Sequence, residues 1–191
     1  MIVGILEWVG STKWSVMLLE SYYAWPVLES THVVTLAFFV GTALMMDLRL
    51  VGIAFPGVPV TAFTGRLLPW TRFAFALMVT TGLLLFYSSP LRYYNNIFFR
   101  LKIVLLLAAG LNIWLFHSRI HLKVAEWEND LRPPRAARIA GLVSIIVWTG
   151  VVFSGRFVAY NWFECDIQPQ PGWVNFLAGC EIVGEEAMLE P

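Results

Sequence analysis

Three histidines, His32, His117 and His121, carry most of the chemistry open to this chain. The last two stand four apart in "NIWLFHSRIH", residues 112–121, where a long apolar segment runs into charged sequence. On a helix that spacing puts both rings on one face with Cβ atoms about 5–6 Å apart, near enough to share a divalent metal. No carboxylate or cysteine follows on that face until Glu128. The pair is therefore expected to split, His117 facing the other helices and His121 lying in the headgroup region beside Arg119 and Lys123.

His32 sits one turn inside the outer end of the first long apolar run, and His117 at the inner end of the third. Most of a hydrocarbon core roughly 30 Å thick would separate them, so one iron cannot use both. Two sites, one outer and one inner, would suit electron transfer across a membrane, and each would lack a second histidine from this chain. Gly110, seven residues before His117 and on the same helix face, leaves room for a flat ring or for close helix packing. The pairs Ala37/Gly41 and Gly150/Ser154 equally allow helices to approach. Arg100, Lys102 and Arg156 fall at the depth of His32. A cation in the bilayer costs about 2.5–3.5 kcal/mol near its centre and less near its ends, so such a cluster needs partners. The candidates are haem propionates, phospholipid phosphate reached by snorkelling, and the acidic residues Glu164 and Asp166.

The two cysteines, Cys165 and Cys180, both lie in the C-terminal tail and are expected to form a disulfide. A loop of about 15 residues closed in this way gains about 3 kcal/mol on the chain-entropy model. The tail has too few ligands for a metal–thiolate site, and no C-x-x-C-H is present for covalent haem. Dinucleotide and phosphate loops, the G-x-S-x-G elbow and H-E-x-x-H are also absent, so any chemistry is placed inside a membrane.

The elements that must position these residues follow from composition. The 191 residues are 58% hydrophobic and only 14% charged, with a mean hydropathy of +0.68, whereas soluble domains carry about 25% charged residues. Four apolar runs, about 31–53, 69–88, 97–117 and 139–160, reach the roughly 20 residues that cross a bilayer as helix. The fold class expected is an all-α integral membrane protein: an up-down four-helix transmembrane bundle over 29–160 and a disulfide-closed tail over 161–191. Residues 1–28 scatter Glu7, Lys13 and Glu20 among apolar residues and lack the basic start and cleavage site of a secretory signal. They read as an interfacial amphipathic helix anchored by Trp8, Trp14 and Trp25, ahead of Pro26 at the start of the first span; a short fifth span is the alternative. Of the thirteen Lys and Arg, eight fall on the side of the loop holding Arg119, Lys123, Arg132, Arg135 and Arg138, which makes that side cytoplasmic. Both termini are then periplasmic in a bacterial inner membrane, an oxidising setting for the cysteines.

The stretches "STHVVTLAFFVGTALMMDLRLVG" and "FFRLKIVLLLAAGLNIWLFH" together resemble a family of uncharacterised bacterial four-span inner-membrane proteins. They are more distantly similar to the copper-resistance D and protoporphyrinogen-oxidase-like membrane families, over about residues 25–160. Those relatives begin with a histidine in the first span, followed by a glycine and a basic residue at its inner end. The resemblance implies a haem or metal at that histidine, here His32; the present chain departs from it in "DLRLVG" and in placing His117 at the far side.

These readings converge on a b-type haem membrane subunit that passes electrons between a periplasmic partner and the quinone pool or another membrane subunit. Haem b would use His32 as ligand, with His117 offering a second metal site and Arg100, Lys102, Arg156 and Gly110 lining the cofactor. The sixth ligand would come from a methionine, water or a partner chain, or be absent. The rival is a structural or assembly subunit of a larger membrane complex that holds lipid or pigment, a role suited by nine tryptophans and 15% aromatic residues. Copper handling would need more sulfur or histidine than the adjacent Met45 and Met46 supply. No nucleic-acid partner is expected.

Overall fold

The computed structural model describes residues 1–160, 162, 163, 165 and 169–180, and these residues form helices with no strand. Glu164 and Asp166 and the last eleven residues of the tail lie outside them. Four helices are long and apolar enough to cross a membrane: Ala24–Val51, Val60–Ser88, Ile97–Trp127 and Arg135–Phe157.

The N-terminal segment is two helices, where the sequence suggested one. Helix α1 (Ile2–Gly10) and helix α2 (Lys13–Glu20) meet at 62° and reach spanning length only if counted together. The break falls at Ser11 and Thr12, whose hydroxyls bond back to the carbonyls of Trp8 and Val9, an alternative to continuing the helical ladder. Thr12 also bonds the Tyr87 hydroxyl at 2.6 Å, and the fully buried Ser15 donates to the Tyr87 carbonyl at 2.8 Å. Side-chain hydroxyls thus pin α2 to the far end of the second long helix.

Helix α3 (Ala24–Val51) carries Pro26 in its first turn, where a missing N–H costs nothing. It stops at Gly52, which adopts φ 85° and donates to the Leu48 and Arg49 carbonyls, a left-handed cap that favours glycine. Helix α4 (Val60–Ser88) starts nine residues before Pro69, which the sequence reading placed at its head. Pro69 lies inside the helix, and its missing N–H leaves the Gly65 carbonyl without the usual partner. Helix α5 (Pro90–Tyr94) turns the chain into α6 (Ile97–Leu115), capped by Asn96 accepting from the Phe99 N–H at 3.1 Å. Beyond Leu115 the helix loosens into a π turn (Phe116–Ile120), tightens into a 3₁₀ turn (His121–Lys123) and ends as α7 (Val124–Trp127). Pro133 and Pro134 precede α8 (Arg135–Phe157), and the short α9 (Gly172–Ala178) lies against the start of α6. The disulfide between Cys165 and Cys180 spans 5.2 Å between Cα atoms.

Helix α3 is the hub, packing against α4 on one side and α8 on the other, and α8 in turn packs against α6. Helices α4 and α6 form no comparable pair, so the four run in the order α4, α3, α8, α6 with an open side. The core along this path holds Phe39, Ala74, Met78, Ala109, Trp148 and Val151. Phe39 meets Trp148 edge-on at 4.7 Å and Phe75 at 5.3 Å, geometries that suit aromatic quadrupoles. Gly141 sets the α3–α8 approach, since a Cβ there would come within 3.0 Å of the Asp47 carbonyl oxygen. Gly150 packs on Leu105, while Gly41 is exposed and a Cβ on it would meet nothing. Of the small-residue pairs read from the sequence, the Gly150 one therefore serves helix packing.

Candidate functional site

At one end of the bundle α3 and α4 hold His32 between them. Its Nδ1 lies 3.0 Å from the Thr81 hydroxyl, whose own hydrogen is directed at the Leu77 or Met78 carbonyl of the same helix. The network thus assigns the ring hydrogen to Nδ1, leaving Nε2 with a lone pair and no hydrogen-bond partner among the described residues. The Met78 carbonyl also interacts with the ring. Gly82 supplies the clearance: a Cβ there would sit 3.1 Å from His32 Cε1.

The three cations expected around His32 part company. Arg100 donates from Nε to the Tyr94 carbonyl at 2.8 Å and from Nη1 to the Leu177 carbonyl, stacks over the Tyr94 ring, and packs under Gly179. It ties α6 to the tail, not to His32. Arg156 donates to the Tyr160 hydroxyl at 3.1 Å and lies 5.1 Å from that ring. Only Lys102 interacts electrostatically with His32, its amine resting 3.3 Å from where a Gly155 Cβ would be. Gly110 is exposed, with open space where a Cβ would go.

At the opposite end the expected split of the histidine pair does not occur. His117 and His121 line the same cavity with ring centroids 5.2 Å apart, and Phe116 flanks both. The i, i+4 spacing sets both rings on one face, and the π turn at Phe116–Ile120 leaves them together. His117 donates from Nδ1 to the Ile113 carbonyl at 3.0 Å, an acceptor that cannot donate, so its Nε2 also carries a lone pair. No group of three or more His, Cys, Asp or Glu suited to a metal exists among the described residues.

The cavity measures about 480 Å³ and is walled by all four long helices. Phe39, Phe75 and Trp148 form its apolar side. Its polar side includes Asn112, whose amide donates to the Ala140 carbonyl at 3.0 Å and so retains an oxygen and a second hydrogen for a guest. Asp47, 9% exposed, has Ser144 as its hydrogen-bond partner. A carboxyl buried within a helix long and apolar enough to cross a membrane is costly without a cation partner, which makes Asp47 a candidate functional residue.

Arg49 is 1% exposed. Its Nε donates to the Val58 carbonyl at 2.8 Å, and Nη2 to the carbonyls of Asp130 at 3.2 Å and Glu128 at 3.4 Å, while Nη1 has no partner. The Glu128 carbonyl also caps α4 by accepting from the Val60 N–H, and the Glu128 side chain accepts from Thr61. Arg49 is thus a buried clamp joining three segments at the cavity wall. The signal available was two charges, Asp47 and Arg49, within five residues of the glycine that ends a span.

Residues 6–161 match the model of a family of unknown function, DUF6644, and the chain belongs to that family. No curated protein and no solved structure matches it.

Proposed function

We propose that the protein is an electron-transfer subunit of the bacterial inner membrane, with both termini periplasmic, that holds a b-type haem on His32. It would pass electrons between a periplasmic partner and the quinone pool or another membrane subunit. The observation supporting this reading is the preparation of His32: Nδ1–H is tied to Thr81, Nε2 carries a free lone pair, and a cation with no hydrogen-bond partner among the described residues, Lys102, stands close by. A hydrogen bond on the far nitrogen is what orients an imidazole as an axial ligand and raises its basicity. A haem bound there supplies one-electron chemistry. The residues fit one axial position; a second histidine at that level is lacking among the described residues, so the other ligand would be water, a methionine or a partner chain. Lys102 is the residue placed to meet a propionate, with Arg100 and Arg156 engaged elsewhere. A reduced-minus-oxidised spectrum of purified protein tests the reading: a b-type band lost in His32→Ala supports it, and a colourless wild-type protein overturns it.

A second reading has its own observation. Helix α6 presents Leu101, Val104, Leu107, Leu111 and Trp114 as an exposed apolar stripe, the pattern of a helix that rests against lipid or another subunit. A structural subunit holding lipid or pigment would show that stripe and no haem band.

A further inference from the structure

We infer that the cavity beside Asp47 and His117 is a binding site for a membrane-dissolved quinone, which enters sideways through the gap between α4 and α6. The volume of about 480 Å³ lies inside the range of about 300–1,000 Å³ typical of small-molecule sites. The way in is lateral because α4 and α6 do not pack together, and their outward residues are apolar, so the mouth faces the medium in which an isoprenoid tail is soluble. Inside, Phe39, Phe75 and Trp148 offer flat faces to a ring.

The polar groups match both redox forms of such a ring. A quinone oxygen needs a donor, and Asn112 has an amide hydrogen beyond the one given to Ala140. A quinol hydroxyl needs an acceptor, and His117 Nε2 and the Asp47 carboxyl both line the wall. The same groups weigh against a phospholipid head. Arg49 lines the wall but commits Nε and Nη2 to backbone carbonyls, so Arg72 is the one exposed guanidinium in the lining. A haem is disfavoured likewise by its two propionates, and because the two histidines lie on one helix they cannot grip opposite faces of an iron. The inference stands apart from the haem on His32, at the other end of the bundle.

The test is equilibrium binding of a short-tailed benzoquinone to the full chain in nanodiscs of zwitterionic lipid, followed by quenching of tryptophan emission and checked by dialysis. Saturable binding is expected, with affinity lowered about tenfold in Asn112→Leu, the equivalent of one hydrogen bond of about 1.4 kcal/mol. Ala43→Phe, which fills the cavity, should abolish binding while helical content by circular dichroism stays at the wild-type level. Should Asn112→Leu fold poorly, His117→Ala takes its place with the short-tailed benzoquinol as probe: it removes an acceptor and should weaken quinol binding several-fold, and unchanged quinol affinity would overturn the inference. Three further results overturn the inference: quinone binding unchanged in Asn112→Leu and Ala43→Phe; displacement of the quinone by anionic phospholipid at comparable concentration; or a haem that His117→Ala removes. Quinone binding by a protein devoid of haem upholds this site and sinks only the His32 reading.

Discussion

Replacing Arg49 by Met should be the most damaging single change at the end of the molecule that carries the cavity. Methionine keeps the apolar stem and removes the guanidinium, so the loss is chiefly that of its hydrogen bonds. Two are of good length, to Val58 at 2.8 Å and Asp130 at 3.2 Å, and the third, to Glu128 at 3.4 Å, is weak. Charge-assisted bonds contribute about 1.5–3 kcal/mol each, so the two good ones are together worth about 3–6 kcal/mol. The unpaired Nη1 lowers that sum, because desolvating the cation carries a penalty that methionine would not incur. A net loss of about 2–4 kcal/mol remains, which for a chain of this size corresponds to a drop of about 5–15 °C in Tm. Thermal unfolding in detergent, followed by circular dichroism, reads the global loss. Limited proteolysis reads its location, and residues 52–59 and 128–134 should become cleavable first. Arg49→Lys, which retains charge but not the fork, should recover less than half of the loss. A Met variant that melts within about 1 °C of wild type, with both loops still protected, would mean that α3 and α4 are joined by packing alone.

The remaining predictions address the other candidate groups. His32→Ala should lower haem per polypeptide to near zero while the bundle still inserts, whereas His117→Ala should leave the haem content unchanged; equal loss in both would place the cofactor elsewhere. Gly141→Val should lower the melting temperature, since its Cβ would come 3.0 Å from the Asp47 carbonyl and 3.2 Å from Leu50 Cβ, an overpacking worth about 1–3 kcal/mol. Gly110→Ala, by contrast, should be neutral or stabilising in the same melt and leave haem content unchanged, because its surroundings are open. Alkylation of Cys165 and Cys180 should require prior reduction, and the reduced protein should lose about 3 kcal/mol.

The features legible in the sequence are those that follow from one-dimensional periodicity and bulk composition. Four spans and the pairing of the sole two cysteines needed only apolar run lengths and a count. The residues misplaced are those whose role depends on which helix stands opposite. Arg100 reads as lining a cofactor beside His32 and Arg49 as one of the eight cations on the loop side, yet both are held by main-chain carbonyls. Their partners are carbonyls, which every residue carries, so no side-chain pattern could have announced them. Gly110 and Gly141 make the same point in opposite directions: identical residues, one turned to open space and one wedged against a neighbouring backbone. His121 is a different case: its spacing from His117 puts the two rings on one face, the lack of a further ligand on that face argues for splitting them, and yet both line the cavity. Two imidazoles, a buried carboxyl and an amide thus line one cavity. Asp47 and Asn112 open onto a cavity at one end of the bundle, and on the quinone reading proposed above a guest with polar atoms on a flat ring would offset the cost of burying them.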